Sequence, residues 1–329
     1  VIGVRLAGVH IDEDGFLYII GRVKEQYWQG YNGTSDVEKL SYEHNYNGTP
    51  TVRKVLTSGG HAKSRTYGHD NLDRLEELYR GVVIGSMIPA PNLSQDFGLD
   101  ALGNWTDFKI DANGDGDYDD AGDLDQDRTH NLANEITGIT RTSGPSWIEP
   151  EHDAAGNITT APKPGVESWQ HSYTYDAWSR LVGVTFLGFS ETTFEYDGLN
   201  RRIAKVDYWS DPDITYDYYF NESWQTLEVR KDGEADYALK EYVWHPYYID
   251  ALAIRYYDDD TDGNPVTNYY AHDANMNVTA LTNSSGSVQE RYEYAPYGKV
   301  AVLDADFSDD GDGVSDHEQA VLYTGQTLE

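Results

Sequence analysis

The chain has 329 residues, no cysteine, 27 tyrosines, and 57 acidic against 24 basic side chains, for a net charge of −33. The lack of cysteine excludes a disulfide framework, a thiolate nucleophile and Cys-ligated zinc, and so acidic a surface repels nucleic acid and anionic membranes, which both require Lys and Arg. Aromatics at 13 % argue against disorder, while abundant Tyr, Trp, Val and Thr beside 31 glycines describe strands joined by turns.

In chain order, the opening VIGVRLAGVH lacks the basic n-region of a signal peptide and begins without Met, so an interior piece of a longer polypeptide is expected. No apolar run approaches the ~20 residues of a membrane-spanning helix. A unit anchored on Asp or Asn then recurs: Asn47 in HNYNGTPTV, Asp70 in YGHDNLDRLEEL, Asp100 in FGLDALGNW. NLDRLEELYRG is the best helical candidate in the chain, yet in register with the repeat it reads as a turn and its return strand. After an acidic loop come Asn131 in THNLANEIT, Asp153 in EHDAAGNIT, Asp176 in YTYDAWSRL and Asp197 in FEYDGLNRRI. The next clear anchor is Asp273 in AHDANMNVT, three periods on, and two degenerate units around Asn221 and His245 divide that gap. Ala295 in YEYAPYGKV closes the series. A second acidic loop precedes Asp273 and a third follows Ala295. Clear anchors lie mostly 21 to 31 residues apart, which makes about ten units and a repeat architecture.

The unit has a physical logic. Tyr-x-Tyr places two rings on one strand face. Asp or Asn breaks the strand by capping the backbone two residues on, and Arg/Asn followed by an aliphatic residue opens the return strand. One such strand–turn–strand cannot bury its aromatic face alone, whereas stacked neighbours can ladder their tyrosines. The expected fold is all-β.

YTYDAWSRL and FEYDGLNRRI resemble the YD repeat of the bacterial RHS proteins, shared by the C component of insecticidal Tc toxins and by the teneurin ectodomain. YYAHDANMNVTALTNSSGSVQERYEYAPYGKV, residues 269–300, is similar to the start of the RHS repeat-associated core, and YVWHPYYIDALAIR upstream is RHS-like. The resemblance covers essentially the whole chain. It implies a YD-repeat antiparallel sheet spiralling into a shell or cocoon, with wall at 1–240 and the start of the core, continuous with it, at 241–329. It further implies that such shells enclose or carry a C-terminal polypeptide, often a toxin. RHS cores that cleave themselves use paired aspartates in an Asp-Pro- and Gly-rich segment. The chain stops at VLYTGQTLE, short of where that segment falls, and its one Asp-Pro, Asp211-Pro212, lies mid-chain; no catalytic residue is assigned.

The three acidic loops carry the metal candidates. In DANGDGDYDDAGDLDQD, Asp111, Asn113, Asp115 and Asp119 fall at positions 1, 3, 5 and 9 of an EF-hand-like loop with Gly116 at the turn. Gly122 stands where such a loop has Glu; Asp123 can substitute, and Asp117 joins the set. In DDDTDGNP, Asp258, Asp260 and Asp262 precede Gly263, but Val266 and Tyr269 occupy the later ligand positions. In DADFSDDGDGVSDHEQ, Asp310, Asp312, Asp316 and Glu318 surround Gly313, with Ser308 weakening the first position. All three interrupt the repeat on one edge between strands. Structural Ca²⁺ at extracellular concentration and a plain solvated acidic turn both remain open for each loop.

Enzyme signals are sparse. His69, His152 and His272 precede anchor Asp residues as wall positions. No nucleophile elbow, H-E-x-x-H, P-loop or dinucleotide fingerprint stands in a useful context. A glycosidase pair needs two acids about 5–9 Å apart, and nothing singles one out. Trp105, Trp178 and Trp224 occupy repeat positions and are expected to pack; the Asn-x-Ser/Thr triplets at Asn32, Asn104 and Asn277 are expected to be turns. The expectation is therefore a secreted or cell-surface bacterial scaffold with no enzymatic activity, braced by calcium. Its partners would be a C-terminal effector or other surface chains, with self-assembly open and neither nucleic acid nor membrane insertion involved. A cell-surface or matrix scaffold without cargo is the alternative, and a glycan-active enzyme a more remote one.

Overall fold

A computed structural model describes residues 3–6, 23–29, 36–233, 236–246, 248, 251–258 and 262–318. Every strand among them pairs antiparallel with its sequence neighbour, in a ten-stranded and a fourteen-stranded sheet. The first sheet begins with β1 (Gly3–Leu6), β2 (Glu25–Gln29), β3 (Asp36–His44), β4 (Pro50–Val55) and β5 (Ser64–His69). It continues through β6 (Leu75–Gly81), β7 (Pro91–Leu99), β8 (Trp105–Asp111), β9 (Leu124–His130) and β10 (Ile136–Ser143). The second opens with β11 (Glu151–His152), β12 (Ile158–Lys163), β13 (Val166–Tyr175), β14 (Leu181–Phe186) and β15 (Phe189–Tyr196). Next come β16 (Arg202–Asp207), β17 (Ile214–Phe220), β18 (Thr226–Lys231), β19 (Lys240–Trp244) and β20 (Leu252–Tyr257). It ends in β21 (Val266–His272), β22 (Val278–Thr282), β23 (Val288–Tyr294) and β24 (Val300–Asp304). NLDRLEELYRG is indeed a turn followed by β6. No α-helix occurs among the described residues, so none there is long and apolar enough to cross a membrane.

The anchor residues build the hairpin turns that follow odd-numbered strands from β3 on. In the 176–180 turn the Asp176 N–H donates to the Arg180 carbonyl at 3.0 Å and Ser179 N–H returns to the Asp176 carbonyl at 3.1 Å. Asp176 Oδ1 accepts the N–H groups of Trp178 and Arg180, and Oδ2 accepts Arg180 Nε at 2.6 Å. The fourth turn residue takes the left-handed region, with φ 58° at Asp73 and Ser179, 66° at Asn200 and 62° at Met276. That conformation is where Asn, Asp and Gly are least penalised. The first anchor lies two residues before the sequence-based position: Asn45, not Asn47, exchanges hydrogen bonds with Thr49. The HNYNG stretch offers two Asn, and only Asn45 leaves Gly48, at φ 92°, in the fourth turn position.

Alternating turns lie on opposite edges of an antiparallel meander. The Asp-anchored turns therefore share one edge, and the loops after β8, β20 and β24, which are the three acidic loops, share the other.

The sheet is a single layer in its middle; no residue of β10 or β13 is buried. At its ends it doubles. The last strands pack face to face on the first: Leu40, Tyr42 and Val55 cluster with Leu303 and Phe307, and Trp28 and Val37 with Ala271 and Ala280. Gly60 is required there, since a Cβ would sit 2.6 Å from the Phe307 ring. A tyrosine-rich cluster of Tyr242, Tyr270, Tyr292 and Tyr294 with Leu252, Leu281 and Val302 fills the β19–β24 region. Each such buried ring contributes about 1.5–3 kcal/mol.

Candidate functional site

Two features stand out from the repeat: a charged seam where the ends of the sheet meet, and the acidic loops on one edge. At the seam, Glu293 of β23 is approached by Arg53 of β4 at 3.2 Å and Arg65 of β5 at 2.6 Å. Arg65 also donates to the Tyr294 carbonyl. On the same strand Arg291 meets Glu38 of β3 at 3.2 Å, and Thr57 donates to Glu38 at 2.8 Å. Tyr42 Oη accepts the Ala274 N–H at 3.1 Å, and Trp28 Nε1 donates to the His272 carbonyl at 2.9 Å. All these side chains are nearly inaccessible. The seam pairs three arginines with Glu38 and Glu293, while the buried anchor Asp273 is held by the N–H groups of Asn275 and Asn277 and by Asn277 Nδ2.

Burial pushes the Glu38 carboxyl up, against the pull of Arg291 and Arg53, and pushes Asp273 up likewise. Burial also raises Glu293, but Arg53 and Arg65 outweigh it and hold the carboxyl below the usual range. Glu293 is thus the ion that joins the two ends. The His272 imidazole, 5.8 Å from the Trp28 ring, is pushed down to about 4 by burial, with the neighbouring His245 adding to it; it is a neutral wall residue at ordinary pH.

The chain beyond β24 crosses back over the second sheet. Ser315 Oγ and Asp316 N–H donate to Glu290 at 2.6 and 2.9 Å. Arg255, buried beneath, donates to the carbonyls of His317 and Glu318 at 2.6 and 2.9 Å. Lys240 adds a second contact to the Glu318 carbonyl at 3.3 Å.

In the first acidic loop, carboxylate oxygens of Asp115, Asp117 and Asp120 lie within 4.8 Å of one another and are exposed. Two oxygens bound at 2.3–2.6 Å to one Ca²⁺ are at most about 5 Å apart, so this trio fits a shared cation. Asp120 was not singled out in the sequence. Asp119 sits against the group, and its carboxyl is raised first by a hydrogen bond with Asp117 and then by that neighbour's charge. Asn113 orders the loop, its Nδ2 reaching Asp120 at 2.7 Å and its Oδ1 taking the Asp115 N–H at 2.9 Å. Asp111 and Asp123 lie underneath, 1 % exposed. Asp111 accepts Gly114 and Gly116 N–H at 2.6 and 2.9 Å, and Asp123 accepts Ala112 and Asp120 N–H, both at 2.8 Å. The EF-hand spacing thus marks loop-forming residues as much as exposed carboxylates.

Among the described residues, the other loops are not gathered in this way. Asp258 is buried and accepts Asp262 and Gly263 N–H; Asp262 accepts Asn264 N–H; Asp260 lies outside the described residues. Asp310 and Asp312 cap Gly313 and Val314 N–H, Asp316 donates its backbone N–H to Glu290, and Glu318 is held through its carbonyl. Two tryptophan expectations need correction. Trp105 does pack, 5.1 Å from Phe97 and 5.0 Å from Phe108. Trp178 and Trp224 project from turn tips and are more than half exposed, because the third and fourth turn positions lie beyond the sheet edge.

No family model matches the chain, and no curated protein sequence matches it. Solved structures do. TcdB2-TccC3-Cdc42 superposes on 94 % of this chain with TM-score 0.66 and 14 % identity, and TcdB2-TccC3 on 94 % with 0.66 and 15 %. A Photorhabdus luminescens Tc holotoxin pore carrying a TccC3 mutation superposes on 94 % with 0.66 and 16 %. This chain spans only 15–16 % of the length of those chains. The likeness shows the fold: an RHS-like antiparallel β-shell stretch.

Proposed function

We propose that the chain is a length of extracellular, non-enzymatic shell wall, braced by calcium at its acidic edge, that encloses or carries a polypeptide continuing from its C-terminal side. The observation that carries this reading is the seam. A single-layer ribbon with no enclosed purpose has no need to bury three arginines against Glu38 and Glu293 between its first and last strands. Leaving any of them unpaired costs several kcal/mol, which supports a ribbon held curled, with an inner and an outer face. The segment at 315–318, clamped by Arg255, Lys240 and Glu290, holds the outgoing chain against the sheet. Enclosure is a mechanical function, and the ribbon, the seam and the clamped 315–318 segment support it as wall, lock and tether. The likeness to Tc-toxin chains supports the same reading.

The test is the intact mass of the natural polypeptide under denaturing conditions, with peptide mapping beyond residue 329. A separate C-terminal fragment that co-purifies with the shell is the expected result. One uncut chain with no variable segment after residue 329 would replace the carrier by a surface scaffold.

A further inference from the structure

In so acidic a chain, carboxylates claim the arginines they can reach. Arg53, Arg74, Arg180 and Arg201 meet theirs at 2.6–3.2 Å. Arg128 of β9 and Arg141 of β10 have no carboxylate within ion-pairing distance among the described residues. Strand register puts the two together. Arg141 stands directly across from Gln126, and Ile139 across from Arg128. Gln126, Arg128 and Arg141 therefore share one face, with the two arginines as diagonal neighbours.

The Arg128 guanidinium is boxed by rings, its Cζ 5.1 Å from Trp105, 5.3 Å from Phe108 and 5.5 Å from Trp147. Burial pulls it below its ordinary range. Around it, three donors stand without an acceptor. Arg128 Nε, Trp147 Nε1 and Gln126 Nε2 are all buried and unpaired, and Gln126 is 0 % exposed. Gln126 Oε1 is already taken by Arg128 Nη2 at 3.1 Å, which fixes the amide with its NH₂ unspent. Arg141, which is exposed, gives one donor to the Gly144 carbonyl. Glu149, two residues after Trp147, accepts the Ile139 N–H at 3.3 Å instead of an arginine.

An unmet buried donor is costly, and a buried water commonly answers one. This cluster has the wrong sign for water. A water molecule brings two donors of its own, whereas every unpaired atom around Arg128 is itself a donor. A group that only accepts, through more than one oxygen, answers all of them, and beside two guanidinium groups a carboxylate does so with charge-assisted bonds.

We infer that this face of β9 and β10 binds a carboxylate-bearing ligand, held by Arg128, Arg141, Gln126 and Trp147, with the Trp105 and Phe108 rings beside it. The site does not depend on the carrier reading. Its carboxylate is that of a small organic acid or the C-terminus of a polypeptide, and the experiment separates the two sources.

Isothermal titration calorimetry is run at about 0.15 M salt, which screens the long-range repulsion of anions by the chain's own charge. It compares benzoate with neutral benzamide, and the peptide Gly-Gly-Phe with its C-terminal amide. Saturable binding of benzoate but not benzamide assigns a small acid; binding confined to the free-acid peptide assigns a polypeptide terminus. In either case Arg128→Gln and Arg141→Gln are expected to weaken binding at least about tenfold. Arg230→Gln, which removes the same charge elsewhere, is expected to keep it. Gln126→Glu sets a carboxylate against Arg128 within the chain and is expected to block the ligand. Thermal melts check that each variant folds, and should Arg128→Gln not fold, Arg141→Gln and Gln126→Glu decide. The inference is overturned if neither acid binds, or if benzamide or the amidated peptide binds as tightly as its acid. Undiminished binding by the Arg141→Gln and Gln126→Glu proteins overturns it as well.

Discussion

At the residue scale, the turn anchors obey a donor–acceptor rule that accounts for which residue stands four positions on. Asp anchors are followed by a donor: Arg74, Asn104, Asn157, Arg180, Arg201 and Asn277 reach the anchor's second oxygen at 2.6–2.9 Å. Two Asn anchors reverse the direction, Asn131 Nδ2 donating to Glu135 at 2.5 Å and Asn221 Nδ2 to Gln225 at 2.7 Å, while Asn45 donates to Asp73 of the next turn instead. The anchor's first oxygen is always spent on backbone N–H groups. Its second atom is an oxygen in Asp and an NH₂ in Asn, so the partner must change with it. The Asp197 and Asp176 carboxyls are shifted accordingly: burial alone would raise them, but the N–H and guanidinium donors hold them below the usual range. Asp197→Asn sets an amide donor against the Arg201 guanidinium and lowers the melting temperature. Asp197→Asn with Arg201→Gln rebuilds the Asn221–Gln225 pairing and recovers most of that loss. Four melting curves forming a double-mutant cycle check it, and additive losses would break the rule.

At the scale of elements, β23 and the first acidic loop show what local pattern does and does not specify. VQERYEY reads as a strand, and its tyrosines read as wall. Its burial on both faces is not legible, because the residues that cover Arg291 and Glu293 lie about 240 positions away in sequence. Glu293→Gln removes the charge shared by Arg53 and Arg65 while keeping the shape, and is expected to cost about 3–5 kcal/mol. Glu43→Gln, at the partly exposed pair with Lys54, costs less than about 1 kcal/mol. Urea titrations of the two variants separate them, and equal losses would mean the seam does not lock the ends. For the loop, chelation of Ca²⁺ is expected to lower the melting temperature of the natural chain and to do so much less in Asp115→Ala. Asp115 serves that comparison better than Asp111 or Asp123, whose carboxylates hold the loop backbone itself. A melt indifferent to EDTA would remove calcium from the account.

At the scale of the whole molecule, the charge is distributed by topology. Anchor carboxylates on one edge are neutralised or hydrogen-bonded within their own turns. The loops at 111–123 and 304–318 on the other edge carry runs of aspartate without a single Lys or Arg. One edge is therefore internally paired, and the other combines the acidic loops with exposed apolar residues such as Met87, Leu187, Phe189 and Trp209. That polarity follows from the meander: insertions after even-numbered strands cannot reach the Asp-turn edge. It also places any bound calcium away from the Asp-anchored turns, so chelation and the Asp197 substitution are expected to act independently.

The sequence by itself determined the strands, the turns and their period. Each is set by contacts within about five residues: Tyr-x-Tyr alternation, an Asx cap, a left-handed fourth residue and its donor or acceptor. It also marked the acidic loops, since their carboxylates cluster in sequence. Tertiary structure alone decided which of these carboxylates face one point and which are spent under the loop, because spacing fixes neighbours along the chain but not direction. It alone decided that the ribbon curls until Glu293 meets Arg53 and Arg65. Curvature accumulates from small twists over two dozen strands, and no local pattern encodes where such a sum brings the ends together.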